Sequence, residues 1–315
     1  MAIEISLQGS VVKSGPRWTL YALLVLMELF WSLHYVASKY ALREFEPLVL
    51  ASLRIGAATL ILGLISAVTG NGGTARNSNT SRPRILFLQL GLFGTALNQL
   101  FFILGLSKSL ASHSALVISI SPVFVLIIAR LKGMEHLARF RVAGMAISIF
   151  GVIALNLKEG FHLQTEYFLG DLITMAGILS FSYYTIISKD IARHYGLIRA
   201  TFATYLGGAL FLIPAGVLGW HRQPWGQVSW RGIAALGYMV LFGSIVAYLI
   251  FFYALRHAEA SRVASYAYLQ PVMASAFSIT FLGERLTLSL VAGIFIILTG
   301  VLIAEHGREV FDWLV

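Results

Sequence analysis

Ten stretches of this chain are apolar for about 20 residues each, the length that crosses a hydrocarbon core, and each is bounded by Gly, Pro, Asn or charge. The spacing predicts membrane helices over Trp18 to Tyr40, Pro47 to Thr69, Ile85 to Ser107, Ser112 to Arg130 and Phe140 to Leu157. Five more are predicted over Phe168 to Lys189, Arg199 to Gly219, Gly232 to Ala254, Ser261 to Phe281 and Leu288 to Ala304. Connections are short, so no soluble domain is expected. The longest, Gly70 to Arg84, is rich in Asn, Gly, Ser and Thr and predicts a mobile loop. A water-facing globule cannot hide 58% hydrophobic residues with only 12% charged and a mean hydropathy of +0.80, so lipid is the expected solvent.

The net charge of +9 points to nucleic acid only in a soluble protein; here Lys and Arg sit between apolar stretches and act as topology signals. With the N-terminus inside, fifteen of them fall on inside segments and seven outside, leaving Arg54 within the second helix. Both termini are therefore expected in the cytoplasm. The first apolar stretch is too long for a signal peptide and lacks a small-residue cleavage site, so it is expected to stay in the mature protein. The absence of cysteine removes disulfides, iron–sulfur clusters and thiol catalysis.

A shift of 149 residues lays Leu92 to Asn156 over Leu241 to Glu305. Leu92-Phe93-Gly94 then meets Leu241-Phe242-Gly243, Ala111-Ser112 meets Ala260-Ser261, and Pro122-Val123 meets Pro271-Val272. Glu135 meets Glu284, Val142-Ala143-Gly144 meets Val291-Ala292-Gly293, and Gly151-Val152 meets Gly300-Val301. A shift of 150 brings Ser38-Lys39 onto Ser188-Lys189, extending the repeat to the first and sixth helices. Five helices per copy is odd, so the second copy enters the membrane from the opposite side. The expectation is an all-α polytopic membrane protein of ten transmembrane helices, built as two inverted five-helix repeats over residues 18–157 and 168–305.

The run Phe30-Trp31-Ser32, then Ser38-Lys39, Pro47 and Arg54, resembles the opening of an EamA-type repeat of the drug/metabolite transporter superfamily. The Pro122 and Pro271 helices, each followed by a short Glu-containing loop and a Gly-spaced helix, resemble its closing half. Gly170-Asp171-Leu172 with Ser182, Tyr183 and Tyr184 resembles the start of the second copy. One departure is Met134-Glu135 where the family shows Gly-Glu, kept in the second copy as Gly283-Glu284. The resemblance spans Trp18 to Glu305. It implies secondary transport of a small organic metabolite, amino-acid-like, nucleoside-like or drug-like, and favours export or exchange.

Inverted-repeat transporters hold cargo near the midplane, where the copies meet. Glu28, midway along the first helix, is the candidate proton carrier; its alternative is a protonated acid bonded to a backbone carbonyl. Trp31 and His34 continue its face at helical spacing, as cargo contacts or as interhelical packing. A cavity on a pseudo-twofold axis is lined by equivalent positions, and His34 maps onto Tyr184, Gln99 onto Tyr248, Ser119 onto Tyr268 and Ser121 onto Gln270. Candidate cargo contacts are therefore Trp31, His34, Gln99, Ser119, Tyr184, Tyr248, Tyr268 and Gln270. Asn98 is included as well, although it points about 100° away from its neighbour Gln99. Pro122 and Pro271 are expected as paired mid-helix kinks. Lys39, Lys189 and Arg54 are read as structural, as are Glu135 and Glu284 beside the helices that follow them.

No H-x-x-x-H pair, H-E-x-x-H or G-x-x-x-x-G-K-[ST] motif occurs, so neither a metalloenzyme nor ATP-driven transport is expected, and no cofactor or metal. A membrane enzyme or channel using the same central cavity is the alternative to a transporter. Aromatic candidates favour neutral or zwitterionic organic cargo, and no cation is expected at the midplane. The expected partners are a small-molecule substrate and the lipid bilayer, without nucleic acid, the chain being a monomer or homodimer. Its place is the cell membrane, the inner membrane if the source is bacterial, as a multi-pass protein.

Overall fold

The computed structural model describes residues 17–69, 83–133, 139–155, 165–258 and 260–314. Most of the loop expected at Gly70 to Arg84, together with Glu135, lies outside the described residues. Those residues are helical and contain no strand. The helices are α1 (Arg17–Ala41), α2 (Pro47–Val68), α3 (Pro83–Leu90, Gly91–Leu97, Asn98–Lys108), α4 (Ala111–Ile118, Ser121–Leu131) and α5 (Arg139–Leu155). Then come α6 (Thr165–His194), α7 (Leu197–Gly219), α8 (Trp230–Tyr238, Met239–Val246, Ala247–His257), α9 (Ala260–Ser265, Tyr266–Leu269, Gln270–Phe277, Ser278–Leu282) and α10 (Leu288–Leu314). Seven helices among the described residues are long and apolar enough to cross a membrane, and two shorter apolar ones, Val142–Gly151 and Leu288–Gly300, lie within α5 and α10.

Local chemistry sets the ends and the interruptions. Pro47 opens α2 with its fixed φ, while the Glu46 carboxylate accepts the Val49 N–H at 2.9 Å and satisfies a donor that the first turn leaves unpaired. Pro122 and Pro271 differ from expectation. Neither kinks a continuous helix: each sits in the first turn of a new segment, after a turn at Ser119 and Ile120 in α4 and after a 3₁₀ turn at Tyr266–Leu269 in α9. A proline tolerated at a helix start removes no hydrogen bond there, so the chain breaks before it. Lys189, expected at a helix end, lies inside α6, which continues to His194.

The identical triplets Leu92-Phe93-Gly94 and Leu241-Phe242-Gly243 fall in π-helical stretches, Gly91–Leu97 and Met239–Val246, which widen α3 and α8 at matching points. Glycine lets these stretches be approached closely. A Cβ on Gly91 would stand 2.4 Å from the Gly207 carbonyl carbon of α7, so backbone meets backbone there. Gly133 and Gly283 both hold φ at +70°. The first copy thus keeps its left-handed glycine one residue ahead of the Met134-Glu135 departure.

Helix pairing follows the repeat. The helices pair α2 with α7, α5 with α10, α1 with α8, α3 with α6, α1 with α9, α4 with α6, and α4 with α9, a pattern unchanged when α1–α5 are exchanged for α6–α10. Ser148 of α5 donates to the Ile297 carbonyl of α10, 149 residues away, which is the repeat offset itself. One large buried cluster joins α1–α4 and α6–α9, and a smaller one gathers Leu116, Val117, Ile120, Val123, Ile178, Leu290 and Ile297.

At the end of the bundle holding the α1–α2 and α7–α8 connections, the loops are tied to each other. Gln223 donates to the Glu44 carbonyl at 2.9 Å and accepts the Glu46 N–H at 2.7 Å. Lys39 donates to the Ser109 carbonyl. Glu284, expected beside its own following helix, instead accepts the N–H groups of Ala111 and Ser112 at 2.7 and 3.1 Å, capping α4 of the other copy. Trp220 and Trp225 pack at 4.5 Å with Trp230 exposed nearby, an arrangement suited to a headgroup layer.

The Glu44 carboxylate accepts the Ser229 N–H at 2.7 Å and the Ser229 hydroxyl at 2.8 Å, and these bonds hold it below the usual carboxylate range. A depressed folded value gives stability that is present above the unfolded value near 4.3 and lost as pH falls through the folded one. Glu44→Gln is therefore expected to lower the unfolding temperature in detergent at pH 7. The difference from wild type should shrink on acidification to about pH 3; an equal difference at both pH values would show that the ionised carboxylate contributes nothing.

Candidate functional site

Residues 28, 31 and 35 of α1 repeat at the three-and-four spacing of one helix face, and their side chains turn into a cavity between α1, α2, α3, α4, α6, α8 and α9. About 740 Å³ of atom-free space lies there, counting its opening. Fourteen of its twenty lining residues form seven pairs of repeat equivalents. At a shift of 150 these are Glu28 with Ile178, Trp31 with Phe181, and Tyr35 with Thr185; at 149 they are Gln99 with Tyr248, Phe102 with Phe251, Ile118 with Ala267, and Ser121 with Gln270. Both halves of the chain therefore build one chamber from corresponding positions.

Two hydrogen-bond chains cross it. Tyr35 donates to Gln270 Oε1 at 2.8 Å, and Gln270 Nε2 donates to Glu28 Oε2 at 2.6 Å, linking α1 to the start of the Pro271 segment. Across the cavity Arg54 donates from Nη1 to Gln99 Oε1 at 2.6 Å and from Nε to Ser244 Oγ at 2.7 Å. Gln99 Nε2 donates in turn to the Tyr248 hydroxyl at 2.9 Å, which reaches the Gly94 carbonyl at 3.3 Å. Each amide is oriented by two partners at once, so the polar groups are fixed before any cargo arrives. Trp31 packs edge-on against Phe181 and Tyr248, both at 5.9 Å, and its indole donates to the Gly243 carbonyl at 3.2 Å. The wall is aromatic with a few aimed polar groups, the usual make-up of a small-molecule site.

Of the residues singled out from the sequence, Glu28, Trp31, His34, Asn98, Gln99, Tyr248 and Gln270 line this cavity. Asn98 and Gln99 both reach it, because the cavity wraps far enough around α3 to meet residues one 100° step apart. Three candidates do not line it. Tyr184 is fully buried behind it, stacked on Phe251 at 5.8 Å with its ring against Gly94. Ser119 turns back to the Leu116 carbonyl at 2.6 Å, and Tyr268 packs on the smaller apolar cluster. Both precede a proline in the interrupted parts of α4 and α9, where the helical angle per residue changes. Ser121 and Gln270, just past the breaks, face inward instead.

Arg54 is the residue that sequence reasoning misplaced. It was expected to be structural, and no cation was expected at the midplane; it lies 2% exposed on the cavity wall. The available signal was that Arg54 is the one Lys or Arg the topology count left inside a helix.

The model of the EamA-like transporter family matches residues 18–157 and again 168–304. A protein of Archaeoglobus fulgidus named "Uncharacterized transporter" is 27% identical over 292 residues, covering 93% of this chain and 99% of its own. The inner membrane transporter YedA of Escherichia coli K12, likewise named as uncharacterized, is 24% identical, covering 93% and 92%. One crystal structure superposes with a TM-score of 0.66 at 17% identity, over 94% of this chain and the whole of the other, and so shares the fold. Two family matches in tandem, apolar helices long enough to cross a membrane and a single chamber shared by both halves agree: the chain belongs to the EamA-like transporter family and is a multi-pass membrane transporter, not an enzyme.

Proposed function

We propose that the chain moves a small organic solute across the cell membrane by alternating access, as a secondary exporter or exchanger coupled to protons through Glu28. In this reading ten helices cross the bilayer as two inverted repeats, 18–157 and 168–305, with both termini in the cytoplasm. The observation that carries it is the chamber lined by seven repeat-equivalent pairs, since two corresponding walls that rock about a shared site expose it first to one side and then to the other. The aromatic groups Trp31, Phe102, Phe181 and Phe251 suit an organic body, while Arg54, Asn98 and Gln270 orient its polar part and Glu28 carries the proton. An inner membrane location is supported by the name of the Escherichia coli relative.

The test is uptake by proteoliposomes across a panel of amino acids, nucleosides and vitamins, with and without an imposed pH gradient. Saturable uptake of at least one solute, raised by the gradient, is expected. Saturable uptake indifferent to the gradient would remove the coupling and leave the transporter. Uptake that never saturates would point to a channel.

A further inference from the structure

The two copies line the cavity from equivalent positions but with different charges. Where the first copy places Glu28 and Arg54, the second has Ile178 and Thr204. Arg54 makes no ion pair with any described residue. Its bonds go to two neutral acceptors, Gln99 Oε1 and Ser244 Oγ, and Nη2 has no partner among the described residues. Glu28, the acid across the cavity, is engaged by Gln270 instead. A guanidinium buried among helices costs several kcal/mol unless a counter-charge reaches it, and none is supplied by the described protein groups.

We propose that Arg54 is the anion-recognition residue of the cavity, and that the cargo is an organic monocarboxylate whose carboxylate takes the guanidinium over from Gln99 and Ser244. This rests on the cavity being the cargo site. The planar fork of Arg fits a carboxylate with two parallel hydrogen bonds. A phosphate would bring a second negative charge into a chamber with one cation and an acid opposite, so the single charge matches better. Gln99 and Ser244 belong to different copies, each within or just beyond a π-helical stretch. Drawing Arg54 away from them loosens a tie between the two halves, so binding the anion also frees the motion that carries it.

Isosteric probe pairs test this with the full-length protein in detergent: 3-phenylpropanoate against 3-phenylpropanamide, and L-phenylalanine against L-phenylalaninamide, by calorimetry. The carboxylate of each pair is expected to bind about tenfold or more tightly. Arg54→Gln should abolish the preference, and Arg54→Lys should retain part of it. Should Arg54→Gln fail to fold, Ser244→Ala serves in its place: with a competing acceptor removed, carboxylate affinity should rise while amide affinity stays fixed. Equal affinities within the pairs, a preference surviving Arg54→Gln, or an unchanged ratio in Ser244→Ala would overturn the assignment. Amides binding where carboxylates fail would sink it while leaving the cavity a cargo site; failure of every probe, with no uptake in the proteoliposome panel, would sink both.

Discussion

Gly94→Ala and Gly243→Ala are each expected to destabilise the protein by about 1–3 kcal/mol, and the valine variants by more. A Cβ on Gly94 would stand 2.2 Å from the Tyr184 ring, and one on Gly243 would stand 2.3 Å from the His34 ring. Both rings are held by their neighbours. Tyr184 is hemmed in by Phe181 at 5.5 Å, Phe251 at 5.8 Å and Phe252 at 6.2 Å, while His34 lies against Phe102 at 5.2 Å with Nδ1 beside the Ser38 hydroxyl at 3.3 Å. Since His34 and Tyr184 are repeat equivalents, as are Gly94 and Gly243, these are one contact made twice, and similar losses are expected at both. Gly237→Ala is the control: nothing lies within 4 Å of its Cβ, so alanine there should leave the helix unchanged or stabilise it by up to about 1 kcal/mol. Thermal unfolding and the monodisperse fraction in detergent measure all three. Wild-type behaviour of Gly94→Ala would mean that α3 and α6 do not meet as described.

That doubled contact also shows what a sequence of this kind reveals. Helix positions were legible because about 20 apolar residues in lipid leave the backbone no other regular form. The repeat was legible at Leu92-Phe93-Gly94 and Leu241-Phe242-Gly243 because close approach permits only glycine there. Their π-helical form was not, since no side-chain pattern distinguishes one extra residue in a turn from an ordinary helix. Ser119 and Tyr268 were misread for a related reason. Equivalence in the repeat pairs two positions but does not predict which way they face, and the breaks before Pro122 and Pro271 leave both off the cavity. Arg54 was hidden by its position about 10 Å into α2, where a long side chain commonly reaches back to the interface. Only the placement of Gln99 and Ser244 on two other helices shows that it reaches inward.

The charge asymmetry between the two copies in the chamber bears on the second large effect, that of Glu28→Gln. Rocking of two like halves moves cargo equally well in either direction, so a gradient can drive it only through a group whose charge changes during the cycle. Among the described lining residues the carboxyl of Glu28 is the acid, 1% exposed, with a neutral amide as its hydrogen-bond donor. Ionising it in the bundle interior costs several kcal/mol unless water or a charged cargo is present, so proton uptake and release follow what the chamber holds. Glutamine keeps the shape and can still bond Gln270, but it cannot exchange a proton. Glu28→Gln is therefore expected to fold, bind and exchange cargo across proteoliposomes in the absence of a pH gradient at close to the wild-type rate, and to lose the gradient-driven accumulation. An accumulation ratio in Glu28→Gln that still rises with the imposed gradient as in wild type would move the coupling to another group.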